Sequence, residues 1–316
     1  LIEHDRPAMS VVAVVITLDR PKVASACLAS LAAGAVRPDH VVVVDNGSQQ
    51  PYCVPDELAA WVEVVRLERN TGPAGGAAAG QTRALAVGAD WIWMVDDDAL
   101  VAPDTLQVLA TQAVHADPRT YFRSICYDMT CPERPFYNSF TYARRTGLLK
   151  PVARQHYHDE QFQFDACGMA GLFLPASMLK QIGVFDASLF GWYDDTEFTL
   201  RATLSGFHGC ALPGSRMEHP TANRRTVQLL GKSVTVLADQ PLRLYYGTRN
   251  CVLTQRKLLG RARFLAVFMP LFAVRRFFSI VLLYNNRRAF LHYFMSGVWD
   301  GLRGRRGELI LGGLAT

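Results

Sequence analysis

The residues with the most chemistry in them fall in a few short strings. Asp96-Asp97-Asp98 ends the apolar run Trp91-Ile92-Trp93-Met94-Val95. Three adjacent carboxylates repel one another, and a hard divalent cation taking oxygen ligands relieves that repulsion. An acidic turn ahead of a helix is the plainer explanation. In Gly191-Trp192-Tyr193-Asp194-Asp195-Thr196-Glu197-Phe198, two carboxylates follow two aromatic rings. That is the make-up of a general base beside a platform for a sugar ring, although Asp195 or Thr196 would also cap a helix. Glu218-His219-Pro220 carries a lone imidazole, a metal ligand only if other ligands converge on it. Asp45 closes Val41-Val42-Val43-Val44 and opens Asn46-Gly47-Ser48. Asn-Gly is sufficient as a tight turn, and the carboxylate could equally accept the imide N–H of a uracil or thymine base.

The glycine-rich string Arg69-Asn70-Thr71-Gly72-Pro73-Ala74-Gly75-Gly76-Ala77-Ala78-Ala79-Gly80 leads into a helix. Missing side chains let a ligand approach the backbone, and they also let a helix pack closely on a sheet. No Lys-Ser/Thr follows its glycines, so it is not a P-loop, and it does not follow the first strand as a dinucleotide fingerprint should.

These strings need a scaffold, and apolar patterning supplies one. Val11 to Ile16, Val41 to Val44 and Trp91 to Val95 read as strands buried on both faces. Helical spacing lies between them, in Val23, Cys27 and Leu31 after Pro21, and again from about Pro73 to Val87. Strand–helix alternation implies βαβ units and a mostly parallel sheet, whose ligands lie beyond the carboxyl ends of the strands. Thr17, Asp45 and Asp96 all fall there. Further helices are predicted at Pro103–Val114, at Pro175–Ile182 before Gly183, and at Thr196–Leu204 before Gly206. Segment 118–165 carries no pattern that assigns it a structure.

The chain has 316 residues, half of them apolar, enough for a packed core and for about two domains at most. A net charge of +5 is too mild to argue for nucleic acid, and no nucleic-acid-binding module is visible. Seven cysteines without a C-x-x-C pair frame neither a disulfide scaffold nor a zinc module, which favours a reducing compartment. The opening LIEHDRPAMS holds no apolar core of a secretory signal, and the missing initiator Met points to a trimmed start. Residues 249–306 are different: twelve Lys/Arg against Asp300 alone give that stretch +11 and the remainder −6. Its aromatics and aliphatics are interleaved with the cations. A helical buttress would account for that, and a surface for anionic lipid headgroups accounts for the concentration of charge better. The most apolar run there, Phe264 to Tyr284, is split by Arg275-Arg276, so no membrane span is expected.

Taken together, residues 10–222 resemble the inverting family-2 glycosyltransferases of the GT-A fold. Val15-Ile16-Thr17-Leu18-Asp19-Arg20-Pro21 is similar to that family's opening strand and turn, Asp45 to its base-reading acid, and Asp96 to Asp98 to its DxD-type metal motif. Asn70-x-Gly72-x-x-Gly75-Gly76, the triplet and the Asp-Asp…His arrangement look most like the galactofuranosyltransferases that initiate actinobacterial cell-wall galactan. The resemblance implies an α/β GT-A domain over 8–222; the charge and aromatic content of the rest predict a helical, membrane-associating region over 223–316. The resemblance also implies UDP-galactofuranose as donor, with Thr17, Arg20, Asp45, Asn70, Gly72, Asp96 and Asp97 around the nucleotide. Asp96, Asp98 and His219 would hold Mn²⁺ or Mg²⁺, and Asp195, the second acid beside Asp194, would be the general base. The acceptor would be a polyprenyl-diphosphate-linked glycan on the cytoplasmic face of the plasma membrane. Trp192 and Tyr193 would stack on sugar rings, and Arg224, Arg225 and Lys232 would clamp the acceptor diphosphate. A rhamnosyltransferase using another nucleotide sugar and a non-catalytic nucleotide-sugar-binding protein are the alternatives.

Overall fold

Runs of Val, Ile and Met become strands buried on both faces. The computed structural model describes residues 9–221, 224–229, 232–237 and 240–309, leaving out the side chains of 224–226, 229 and 232–237. Strands β1 (Val11–Thr17), β2 (His40–Asp45), β3 (Val62–Arg66) and β4 (Trp91–Asp96) are parallel, in the order β4-β1-β2-β3. Alternate side chains enter opposite layers. Val12 and Val14 pack with Ala77 and Ala84 of α2 (Gly72–Ala86). Val11, Ala13 and Val15 pack with Cys27, Leu28 and Leu31 of α1 (Pro21–Ala32). A Cβ on Gly80 would lie 2.2 Å from Val14 Cγ1, so the later glycines of the glycine-rich string serve close helix–sheet packing.

The segment that carries no sequence pattern turns out to be regular. After β5 (Leu100–Val101) and α3 (Thr105–Val114), it supplies β6 (Thr120–Asp128), β7 (Cys131–Pro135), β8 (Ser139–Ala143), β9 (Leu148–Pro151) and β10 (Phe162–Phe164). The signal in β6 is hidden because Arg123, Ser124 and Asp128 are fully buried there, which breaks any apolar pattern. Next come β11 (Ala166–Cys167), β12 (Leu172–Pro175), α4 (Ala176–Ile182), α5 (Asp194–Leu204) and β13 (His208–His219). β12 lies antiparallel between β4 and β6, and β13 runs parallel to β6, completing the order β10-β13-β6-β12-β4-β1-β2-β3. Helix α5 begins at Asp194, earlier than the capping expectation, and its N-cap is Tyr193 in a left-handed conformation.

The C-terminal region is not helical throughout. A hairpin of β14 (Arg224–Leu229) and β15 (Lys232–Leu237) precedes α6 (Pro241–Leu259), α7 (Arg261–Leu283) and α8 (Arg287–Arg303). Phe264, Phe268, Phe272, Ile280, Phe290 and Phe294 form its own core. Helix α7 runs unbroken through Arg275-Arg276, where the sequence reading splits the apolar run, and its 23 residues are long and apolar enough to cross a bilayer by length and composition alone. Arg275 and Arg276 do not end it, because arginine is a good helix former and both line a cleft beside Tyr193 and Cys251. Leu271, Val274, Phe278 and Leu282 remain as an exposed stripe, Val274 at 57% and Phe278 at 56% exposure.

Candidate active site

Parallel pairing brings the strand ends level. Ile16 of β1 is registered with Asp96 of β4, and Thr17 with Asp45 of β2. What the sequence conceals is the arrival of His219. Immediately after the acidic triplet, β5 pairs antiparallel with β13, Leu100 opposite Glu218 and Val101 opposite Met217. That short ladder sets the imidazole against the triplet across 123 residues of chain: Nε2 lies 3.2 Å from Asp96 Oδ2 and 3.0 Å from Asp98 Oδ1. Nδ1 is 2.8 Å from the Pro220 carbonyl, a hydrogen bond that orients the ring with Nε2 toward the carboxylates. Burial lowers the affinity of His219 for its proton, but hydrogen bonds and charge from Asp96 and Asp98 prevail and push its pKa up to about 10.

Asp97 faces elsewhere. Its carboxylate accepts a 2.7 Å bond from the Thr17 hydroxyl and pairs with Arg20, whose other nitrogen is 2.9 Å from Asp98. Burial raises the Asp97 pKa to about 6, against the pull of Thr17 and Arg20. Asp98 is held low: His219 and Arg20 outweigh the burial that would raise it. Two carboxylates and an imidazole, with ligand atoms all within 4.8 Å of one another, make a hard O/N donor set fit for Mn²⁺ or Mg²⁺. Thr17, Arg20, Asn70, Gly72, Asp96, Asp97, Asp98, Trp192 and His219 line one cavity of about 410 Å³.

Asp45 is not in that lining. It is fully buried, its oxygens accepting from the Ser48 and Tyr52 amides at 2.9 and 3.1 Å and pairing with Arg66 at 2.7 Å. Asp45 thus holds the turn after β2, and its neighbour Asn46 lines the cavity. Asn46 braces the start of α2, accepting from Thr71 N at 3.1 Å and donating to Gly72 O at 3.0 Å. Gly72 has φ +72°, and a Cβ there would fall 2.0 Å from the Phe190 carbonyl. Any side chain would push away the loop before Asp194.

That loop carries the acid pair, and it is strained. Phe190, Trp192 and Tyr193 all have left-handed backbone, with φ of 65°, 56° and 77°. Consecutive left-handed residues turn the two rings to different sides. Trp192 lines the cavity of Asp96, Asp98 and His219 and stacks on Tyr246 at 5.4 Å. Tyr193 faces the C-terminal helices, where Gln255 donates to its hydroxyl at 3.1 Å, and lines other cavities. Asp194 and Asp195 open α5 directly after these two rings, and neither lines the cavity of Asp96, Asp98 and His219. Burial, then the charge of Asp195, raises the Asp194 pKa. Asp195 is raised by burial as well, moderated by the Thr196 amide at 2.6 Å and by the charges of Arg123 and Arg243.

The residues holding this loop have no signal in the sequence. Asn250, fully buried on α6, donates through Nδ2 to the carbonyls of Leu189, Gly191 and Trp192 at 2.9, 2.8 and 2.9 Å. Arg249, 1% exposed, donates to Leu189 O and to Gly307 O, drawing the end of the chain onto the same loop. In the sequence Arg249 is one more cation of a basic stretch. Arg224 and Arg225 lie on β14, with side chains outside the described residues, as is that of Lys232.

An α/β sandwich with an acidic triplet and a distant histidine beside an open cavity at its parallel strand ends is the architecture of a GT-A glycosyltransferase. The chain belongs to the family described as glycosyltransferase-like family 2, which matches residues 7–247. It is a glycosyltransferase, with a nucleotide sugar as donor. It is 34% identical over 269 residues to galactofuranosyltransferase GlfT1 of Mycobacterium tuberculosis, covering 80% of this chain and 86% of that one. GlfT1 of Mycolicibacterium smegmatis is 29% identical over 76% of this chain and 81% of its own. A dTDP-rhamnosyl transferase of Shigella flexneri, RfbF, is 24% identical over 85% of this chain and 88% of its own. Among solved structures, S. aureus TarS 1-349 in complex with UDP-GlcNAc has a TM-score of 0.57 at 17% identity, over 94% of this chain and 82% of that one. GalNAc-T7 with UDP, GalNAc and Mn²⁺ has a TM-score of 0.59 at 13% identity; 95% of this chain spans 59% of that protein's length.

Proposed function

We propose that the protein transfers galactofuranose from UDP-galactofuranose to a polyprenyl-diphosphate-linked glycan, inverting the anomeric centre, as a step in cell-wall galactan synthesis. The observation that carries the reading is the convergence of Asp96, Asp98 and His219 beside a cavity that Trp192 lines just before the acid pair. Similarity to the two mycobacterial galactofuranosyltransferases supports the choice of donor. Asp96, Asp98 and His219 would hold Mn²⁺ or Mg²⁺, which supplies Lewis acidity toward the donor's diphosphate. Arg20 orients Asp97 and Asp98, and Thr17, Asn70 and Gly72 line the nucleotide side of the cavity. Asp195 takes the proton of the acceptor hydroxyl as that oxygen bonds to the anomeric carbon. The bond to the UDP oxygen breaks on the opposite face, so an α-linked donor gives a β-linked product. A carboxylate raised by burial is a stronger base once ionised.

The same reading puts the enzyme at the cytoplasmic face of the plasma membrane as a peripheral protein. The exposed stripe of α7, with Met295 and Trp299 of α8, supports it, set among the cations of residues 249–306. Each basic residue near an anionic surface contributes roughly 1 kcal/mol. Flotation with anionic vesicles, weakened by salt, is the expected result, and equal flotation with neutral vesicles would replace electrostatic attachment by insertion.

The decisive experiment is a donor panel with and without Mn²⁺, reading both nucleotide release and the acceptor product by mass. Transfer from UDP-galactofuranose and not from UDP-galactopyranose or dTDP-rhamnose is expected. Preference for dTDP-rhamnose would establish the second reading, which the 24% relative favours. Binding of a donor without transfer to any acceptor would leave a nucleotide-sugar-binding protein.

A further inference from the structure

On the side of the acid pair that Tyr193 faces, two cavities adjoin. One, of about 270 Å³, reaches from Leu148 and Leu149 of β9 to Phe268, Arg275 and Ser279 of α7. The other, of about 200 Å³, reaches from Arg243 and Thr248 of α6 to Tyr284 and Phe290. Tyr193, Cys251, Phe272 and Arg276 line both, so they form one groove. Its chemistry is mixed in a particular way. Arg243, Arg275 and Arg276 supply guanidinium groups, and among the described residues no carboxylate lines either cavity. Aromatic rings make up much of the rest.

A second, independent feature marks the groove as built for a polar ligand. Thr248 is 1% exposed, lines the inner cavity, and its hydroxyl is a buried group with no hydrogen-bond partner. Such a group destabilises the fold unless something else satisfies it. The groove's two ends also differ. At its inner end the charge of Arg243 acts on Asp195. Outward it follows α7, whose far face is the exposed stripe of Leu271, Val274, Phe278 and Leu282.

From this we infer that the groove binds the anionic head and first isoprenoid units of a lipid diphosphate, with the head at Arg243, Arg276 and Thr248. The chain would lie along Phe268 and Phe272 toward the outer face of α7. The inference rests on the glycosyl-transfer reading for the identity of the lipid, and it moves the acceptor's diphosphate from the hairpin arginines to this groove. Donor and acceptor then occupy separate cavities, one lined by Trp192 and the other by Tyr193, the two residues directly before the acid pair.

The test is calorimetric titration of the full chain, without donor, using farnesyl diphosphate, pyrophosphate and farnesol as probes. Farnesyl diphosphate is expected to bind at least about tenfold more tightly than either of the others. Arg276→Gln and Thr248→Val should each weaken it by about tenfold, the loss of one bond to a charged group, and leave Mn²⁺-dependent UDP binding within about twofold. Three results would overturn the inference: displacement of farnesyl diphosphate by UDP, equal affinity for pyrophosphate, or unchanged affinity in both folded variants. The Proposed function fails separately. Groove binding that persists in a protein unable to bind any nucleotide sugar would retain this site and discard that reading.

Discussion

Asn250→Ala should detach the loop that presents the acid pair. The amide's two N–H hydrogens serve three carbonyls, so the side chain is worth about two full hydrogen bonds. Leu189 O keeps its 2.8 Å bond from Arg249, which leaves the Gly191 and Trp192 carbonyls stranded. At roughly 1–2 kcal/mol for each buried acceptor, the substitution costs about 2–4 kcal/mol. At about 2 °C per kcal/mol for a chain of this size, the melting temperature should fall by about 4–8 °C. The local effect is larger than the global one. Phe190, Trp192 and Tyr193 hold left-handed backbone that costs about 1–3 kcal/mol each, so a loosened loop relaxes toward ordinary conformations. Relaxation moves Trp192 and the start of α5, but not Asp96, Asp98 or His219. Turnover should therefore drop at least about tenfold, while Mn²⁺-dependent UDP affinity stays within about threefold. Asn250→Asp, which keeps the volume and turns an acceptor toward three acceptors, should be at least as damaging. Differential scanning fluorimetry, initial rates and UDP calorimetry give the three readings. A lowered melting temperature with wild-type turnover would refute the argument, because the loop would then hold its shape without the clamp.

Other substitutions test the roles directly. Asp195→Asn should keep donor binding and lose at least about a hundredfold in transfer, as for a removed general base; near-normal transfer would shift the base to Asp194 or beyond. Asp98→Ala and His219→Ala should both weaken Mn²⁺-dependent UDP binding, and an unchanged Mn²⁺ titration in His219→Ala would make the imidazole structural. Burial raises both members of the acid pair, so the rate should fall with decreasing pH at an inflection above the ordinary carboxylate range; an inflection within that range would mean the pair is solvated during turnover. The same shift acts on stability: the folded chain keeps the Asp194 proton to higher pH than the unfolded one, so stability falls as pH rises through that interval. Asp194→Asn should flatten the dependence of melting temperature on pH, and an unflattened profile would assign the slope to other groups.

The sequence by itself determined the elements whose signals are local. Apolar runs of four to six residues became β1, β2 and β4, and their polar ends, Thr17, Asp45 and Asp96, fell level because parallel pairing admits little else. The acidic triplet and the acid pair were legible because carboxylates are seldom adjacent without a use. Tertiary structure decided which of these groups meet. His219 reaches Asp96 and Asp98 only through the short ladder of β5 on β13, a pairing with no pattern in the intervening chain. Asp45 is bound by Ser48, Tyr52 and Arg66 and Asp97 by Thr17 and Arg20, whereas Asp96 and Asp98 share the imidazole of His219, and no spacing reveals such partners. Trp192 and Tyr193 are adjacent, yet left-handed backbone turns them into different cavities. Arg249 and Asn250 read as ordinary helix residues, and burial alone makes them a clamp. The common reason is range: apolar periodicity acts over a few residues, whereas the satisfaction of buried polar groups depends on segments that only the folded chain brings together.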